Sequence, residues 1–156
     1  MIPDRVQKGS VSVLDRLKKL DRQQLHAVLA TDARGQPYTS MIAFALFPGG
    51  RGIVFATPRG TAKHKNILKN RRVSLLIDTR SNTRKDYVSA ESITVVGLAH
   101  PIRHGKRWDE AARVLIKKHP DLRRLTESSE TKLIFVEIRR CLHVTRFQTV
   151  SEWIAE

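Results

Sequence analysis

A mainly β fold is what the sequence predicts: a small β-barrel of six or seven mostly antiparallel strands with helices plugging its openings. Three observations predict it. Two tight turns, Asp32-Ala-Arg-Gly-Gln-Pro37 and Pro48-Gly-Gly50, separate three short apolar runs, which makes a meander of antiparallel hairpins. A helical stretch then crosses over before strands resume. The later strands are again short and alternate in hydrophobicity, the pattern of a closed or nearly closed sheet.

Each element has a local reason. Residues 10–20 form a short helix, with Ser12 and Asp15 spaced as a capping box and Leu14 and Leu17 facing inward. Residues 25–31 are a buried apolar strand, 38–47 a second, and 52–57 a third. A helix runs from Thr61 to about Lys69, and 72–78 is the fourth strand. Residues 79–91 are polar and turn-rich and read as a loop. Residues 92–102 are the fifth strand, with Gly97 marking a bulge or a close approach. The clearest helix is 107–119. Trp108, Ala111, Ala112, Leu115 and Ile116 share one face, Asp109 and Glu110 lie in its first turn, and Pro120 stops it. Residues 131–138 alternate as a sixth strand. Residues 142–148 either extend it or form a seventh after a bend near Arg139-Arg140.

The chain of 156 residues is one domain, with its core over about 25–150. It is 40% hydrophobic and 28% charged, which excludes a mostly disordered chain. No apolar run approaches the roughly 20 residues that cross a bilayer, so no membrane partner is expected. Met1 to Ser10 is polar and lacks a signal-peptide core, which predicts a soluble cytoplasmic protein. A single cysteine, Cys141, excludes an internal disulfide, and the six histidines show no metal-ligand spacing. The outlier is charge: 29 Lys and Arg against 15 Asp and Glu, or +14. Such a chain attracts anions, whether nucleic acid, phosphates or an anionic cofactor.

Residues 59–72 concentrate that charge: Arg59, Lys63, Lys65, Lys69, Arg71 and Arg72, without one acidic residue. Thr61 is a good N-cap, so Lys63, His64 and Lys65 fall in a first turn where the helix dipole is already positive. Free backbone N–H groups, the Thr57 and Thr61 hydroxyls and the Lys63 ammonium could together hold a phosphate there. The plain alternative is a solvated cationic helix.

The order of residues from Ile53 to Ile77 resembles the pyridoxamine 5′-phosphate oxidase-like family of FMN-binding split barrels. That family's pattern is an aromatic-x-Thr strand end, a loop, Ser/Thr-x-Lys, and a helix ending in Asn-Pro-Arg-Val-x-Leu. Here these are Phe55-Ala-Thr57, Thr61-Ala-Lys63 and Asn70-Arg-Arg-Val-Ser-Leu75, with Arg71 where proline is frequent. Gly35-Gln-Pro-Tyr-Thr-Ser40 and Ile93-Thr-Val-Val-Gly-Leu-Ala99 fit on either side. The resemblance implies a split β-barrel of about six antiparallel strands with flanking helices, a homodimer with two flavin sites at its interface, and FMN as cofactor. It places Thr57, Thr61 and Lys63 on the FMN phosphate, within the segment that also holds Ala56. Ala62 stands where those oxidases have a second phosphate arginine, and Arg59 is the substitute expected for it. Ser40, Met41 and Ile42 align with the strand along which the flavin lies. Ser92 aligns with the contact to the pyrimidine edge of the ring. Asn66, one helical turn after Lys63, is placed toward the same cavity, and Arg146 in the last strand is placed at the partner's flavin.

Pyridoxamine phosphate oxidases end in a basic Arg-Leu-x-Pro segment, and their substrate-phosphate residues have no match here. The resemblance therefore implies a flavin-dependent oxidoreductase acting on another small molecule. The alternatives are a deazaflavin- or haem-binding member of the fold, or a basic nucleic-acid-binding module. The sequence nominates no catalytic acid or base and no metal site. His143 is a haem-ligand or a structural residue, and Cys141 an activated thiol or a buried small residue.

Overall fold

The computed structural model describes residues 12–147 and 149–155. Its elements in chain order are α1 (Val13–Gln23), β1 (His26–Ala33), β2 (Gln36–Leu46), β3 (Gly52–Pro58), α2 (Ala62–Lys69) and β4 (Arg72–Asp78). There follow α3 (Asp86–Ser89), β5 (Glu91–Pro101), α4 (Lys106–Lys118), a 3-10 turn (Pro120–Leu122), α5 (Arg123–Glu127), β6 (Thr131–Thr145) and β7 (Thr149–Ile154). The strands form one antiparallel sheet in the order β3-β2-β1-β4-β5-β6-β7, and an added β3–β6 ladder closes the first six into a barrel. The expected fold class is therefore what the chain adopts.

Two glycines shape the closure. The β1–β2 turn runs through Arg34 and Gly35, both at positive φ (56° and 78°), where glycine carries no steric cost. At Gly97 the β5–β6 register slips, Val96 facing Arg140 and Gly97 facing Ile138, so Arg139 is bulged out. A Cβ on Gly97 would strike the carbonyl oxygen of Glu137. Gly97→Ala is accordingly expected to destabilise the chain by about 1–3 kcal/mol, because a backbone atom on the facing strand has to move. An unchanged urea midpoint would show that the strands part easily there.

The barrel splits on one side. β2 pairs with β3 only over Phe44–Leu46 and Ile53–Phe55. Beyond that point Gln36–Ala43 pair with β1 alone, and Ala56–Pro58 with β6 alone. Helix α2 packs against β1 and β2 at this opening and inserts Ile67, fully buried, into the core. At the far mouth α1 buries Val13, Leu17 and Leu20. A second core lies outside the barrel, where α4 covers Ala45, Val54 and Leu133 with Trp108, Ala111 and Leu115. The end of α4 is tied to α1 through Asp21, whose Oδ1 accepts from Lys118 Nζ at 2.8 Å and from the Leu46 N–H at 3.0 Å. Burial holds the Lys118 ammonium below the ordinary lysine value, with Asp21 opposing the shift.

Several boundaries differ from those expected. Ser12 makes no side-chain cap on α1, and residues 10 and 11 lie outside the described residues. The 79–91 loop contains α3, ordered by Asp86, whose carboxylate accepts from the N–H groups of Ser81 and Asn82 at 2.8 Å each. These bonds and the Ser81 hydroxyl hold the Asp86 carboxyl below its usual range. β6 runs unbroken through Arg139-Arg140 instead of ending at 138, because the bulge opposite Gly97 absorbs the bend. The segment that could have been a separate strand, 142–148, is its continuation up to Thr145, and Gln148 lies outside the described residues. β7 itself was not anticipated. No helix among the described residues is long and apolar enough to cross a membrane.

Candidate functional site

The cationic segment lies at the split. β3 ends at Pro58, the chain turns through Arg59 and Gly60 (φ 80°), and α2 begins at Ala62 with Thr61 as N-cap. Thr61 Oγ1 accepts from the His64 N–H at 3.4 Å and lies 2.8 Å from Thr57 Oγ1. The two hydroxyls thus form a pair at the helix start, and the first turn carries no acidic residue. Lys63, partly exposed, has no ion-pair partner among the described residues.

His64 organises the turn. Its ring is buried, and Nδ1 lies 3.1 Å from the Gly60 nitrogen, which donates to it. That bond requires a neutral ring. Desolvation first, then the charges of Lys132 and Arg59, hold its pKa below the ordinary imidazole value of 6.5. The unfolded chain therefore binds a proton that the folded chain refuses. His64 contributes full stability above about pH 6.5, and this is lost as pH falls through the lowered folded value. The urea midpoint should drop more between pH 7.5 and 5.5 in the natural chain than in His64→Gln. Parallel drops would separate His64 from the effect.

The remaining predicted residues divide. Ser40 and Ile42 point into the barrel and Met41 away from it, by strand alternation. Ser40 Oγ is buried with no hydrogen-bond partner. Asn66 faces inward too, but its amide donates to Thr31 Oγ1 at 3.0 Å, so it ties α2 to β1. Ala62 and Arg59 are exposed beside the cap. The side chain of Ala56 is turned the other way and packs on the cluster beneath α4. Only its backbone belongs to the Thr57 face.

Ser92 and Arg146 lie far from this cluster. Thr31, Val73 and Gly97 form one row across β1, β4 and β5, whereas Ser92 pairs with Asp78 and Val144. Five residues of strand separate the two rows, roughly 17 Å. Ser92 lines a small hollow of about 160 Å³ with Asp78 and Phe147. Arg146 lines a cleft of about 490 Å³ with Arg16 and Glu91. One chain therefore brings Thr57, Thr61 and Lys63 together at the start of α2 and places Ser92 and Arg146 where β5 begins beside the end of β6, with Ser40 on the intervening Leu29–Leu75–Val95 row.

Two residues that sequence reasoning left open have well-defined surroundings. His143 Nε2 lies 2.9 Å from Glu91 Oε2, and both side chains are largely buried, so the imidazole is held in place inside the fold. Cys141 is fully buried, and burial pushes its thiol up to about 12, far from an activated thiolate. One residue was missed: Lys132, placed opposite Thr57 by the β3–β6 register and close enough to act on His64. It stands 75 positions along the chain from Thr57, and no local signal links them.

The chain thus carries a Thr-x-x-x-Thr-x-Lys turn in the split of a six-stranded barrel. In comparison with known proteins, the pyridoxamine 5′-phosphate oxidase family matches residues 13–144. The chain belongs to the pyridoxamine 5′-phosphate oxidase family. That assignment agrees with the resemblance carried by residues 53–77 and by the flanking segments 35–40 and 93–99, and the match runs from the start of α1 into β6. No curated protein matches the sequence. Among solved structures, a heme binding protein from Mycobacterium smegmatis superposes with a TM-score of 0.82 at 16% identity, over 94% of this chain and 59% of that one. This family member thus spans well under two thirds of that protein. HutZ, the heme storage protein from Vibrio cholerae, gives a TM-score of 0.70 at 17% identity, covering 83% and 92%. A FAD-binding protein from Mesorhizobium loti gives 0.65 at 20%, covering 85% and 92%. At these identities the likeness establishes the shared fold.

Proposed function

We propose that this member of the family binds FMN and works as a cytoplasmic, dimeric flavin-dependent oxidoreductase on a small molecule other than pyridoxamine phosphate. One observation carries the reading: the Thr57–Thr61 hydroxyl pair at an acid-free helix start beside Lys63. This is the donor set a terminal phosphate needs. The buried, unpartnered Ser40 Oγ supports it, since such a group ordinarily has a protein, water or ligand partner.

In this reading Thr57, Thr61, Lys63 and the first amides of α2 hold the phosphate, with Arg59 at its outer side. The β2 segment Ser40–Ile42 lines the approach to the ring. FMN supplies hydride or electron transfer when bound. The chain's residues bind and orient it, and His64, held neutral, keeps the phosphate turn closed through Gly60. Ser92 and Arg146 reach a flavin only from a second copy. The outward row Met41–Val28–Leu76–Thr94–Leu142 supports a face for that copy, with Met41 69% exposed.

The test is a visible spectrum of the purified protein before FMN is added and after the excess is removed. One retained flavin per chain is expected, together with a dimer that survives dilution in light scattering. Failure to retain FMN would overturn the reading. The names of two structural neighbours favour haem as a second reading. A Soret band on hemin titration that disappears in His143→Ala would move the assignment there, since His143 would have to leave Glu91 to ligate iron.

A further inference from the structure

A cavity on the outer face of the sheet is left unused by the flavin reading. It measures about 930 Å³ and sits between the end of β5, the start of α4 and the outer face of β6. We propose that it binds a nucleoside phosphate at a second site, separate from the turn at Thr57–Lys63.

Its chemistry is that of such a ligand in three parts. One wall is aromatic: Phe47 and Phe135 meet edge to face with centroids 5.2 Å apart. Phe135 can lie there because its ring occupies the space a side chain on Gly52 would fill. Flat apolar rings of this kind are the surface a base packs against. Opposite them the segment 103–107 brings Arg103, Lys106 and Arg107 to the lining. None of these three has an ion-pair partner among the described residues, so their charge is available to phosphate oxygens.

Two carboxylates also line the cavity and bear on the choice of ligand. Glu137 is already engaged, by His100 Nε2 at 3.0 Å and by Arg139 Nη2 at 3.2 Å. Glu110 has no such partner among the described residues. A free carboxylate repels a bare phosphate but accepts from the hydroxyls of a ribose, as acidic residues do in dinucleotide sites. Aromatic wall, ribose acceptor and cationic rim together suit a nucleoside phosphate better than an inorganic anion. The volume lies in the range of small-molecule sites.

ADP is the probe, titrated by calorimetry and by the fluorescence of Trp108, whose indole stacks on His104 at 3.9 Å on the rim. Saturable binding of one ADP per chain, with Kd below about 1 mM, is expected. Pyrophosphate should bind at least about tenfold more weakly, lacking a base for the aromatic wall. The double variant Arg103→Glu/Lys106→Glu should lose at least about tenfold in ADP affinity by charge reversal. Both residues are exposed, so the variant is expected to fold, which circular dichroism checks. Lys63→Ala should bind ADP as the natural chain does. Absence of saturable binding overturns the proposal. Equal affinity for pyrophosphate and ADP, or equal ADP affinity in the double variant, does so too. Loss of ADP binding in Lys63→Ala would assign the nucleotide to the α2 turn instead. FMN retention is measured separately, so a failure here leaves the flavin reading standing, and the reverse also holds.

Discussion

Trp108→Ala is expected to remove about 3–5 kcal/mol of folding stability, the range for truncating a large buried aromatic. Trp108 is only 5% exposed and stands at the centre of the second core, between α4 and the outer faces of β2, β3 and β6. Ala111 and Leu115 lie on the same face, and the far end of the helix is held where Lys118 is tied to Asp21. The substitution also removes the surface on which the His104 ring stacks. Urea unfolding checks it, and a change below about 1 kcal/mol would mean that α4 is held by its ends alone. Because His104, which lines the proposed nucleotide cavity, rests on the Trp108 indole, ADP affinity should fall in the same variant.

The second large effect is on binding. Lys63→Ala should weaken FMN affinity by about 1.5–3 kcal/mol, the value of a charged hydrogen bond. That is a rise in Kd of roughly tenfold to 150-fold. The lysine stands in the first turn of α2 with no acidic residue beside it, so its charge opposes the helix dipole in the absence of an anion. Removing it should leave stability unchanged or slightly raised while FMN binding falls. This combination separates a ligand-holding lysine from a structural one. Lys65→Ala is the control: it is exposed two positions further along, and its expected change in affinity is small. Equal FMN affinity in Lys63→Ala and the natural chain would take Lys63 out of the site.

How much of this was legible beforehand depended on how local the signal was. The Thr61 cap, the face of α4, the Gly97 bulge and the turn at Arg34-Gly35 all rest on residues within a few positions of one another. Each was readable for that reason. The β6–β7 hairpin was not. Its turn places Arg146 and Phe147 at φ 51° and 55°, in the left-handed region, without the glycine or asparagine that normally announces such a turn. β7 therefore had no visible beginning. Helix α4 begins one residue earlier than expected, at Lys106, so Lys106 and Arg107 occupy its first turn ahead of the favourable acids. That displacement brings Lys106 into the helix beside Arg107, and both line the outer cavity.

The candidate site shows the same division more sharply. Thr57, Thr61 and Lys63 were adjacent in sequence and are adjacent in space. Ser92 and Arg146 were grouped with them by resemblance, and within one chain Ser92 stands five strand residues from the Thr31 row to which Asn66 is tied. By itself the sequence determined the strand-rich class, the positions of the caps and turns, the +14 charge and the family. These are set by neighbours along the chain and by composition. Only the tertiary structure decided that Lys132 faces Thr57, that Asn66 is spent on Thr31 and that His143 is locked to Glu91. It also decided that the barrel opens beside α2. Those facts depend on strand register and barrel closure, which are fixed by the packing of residues tens of positions apart and leave no trace in any short stretch of sequence.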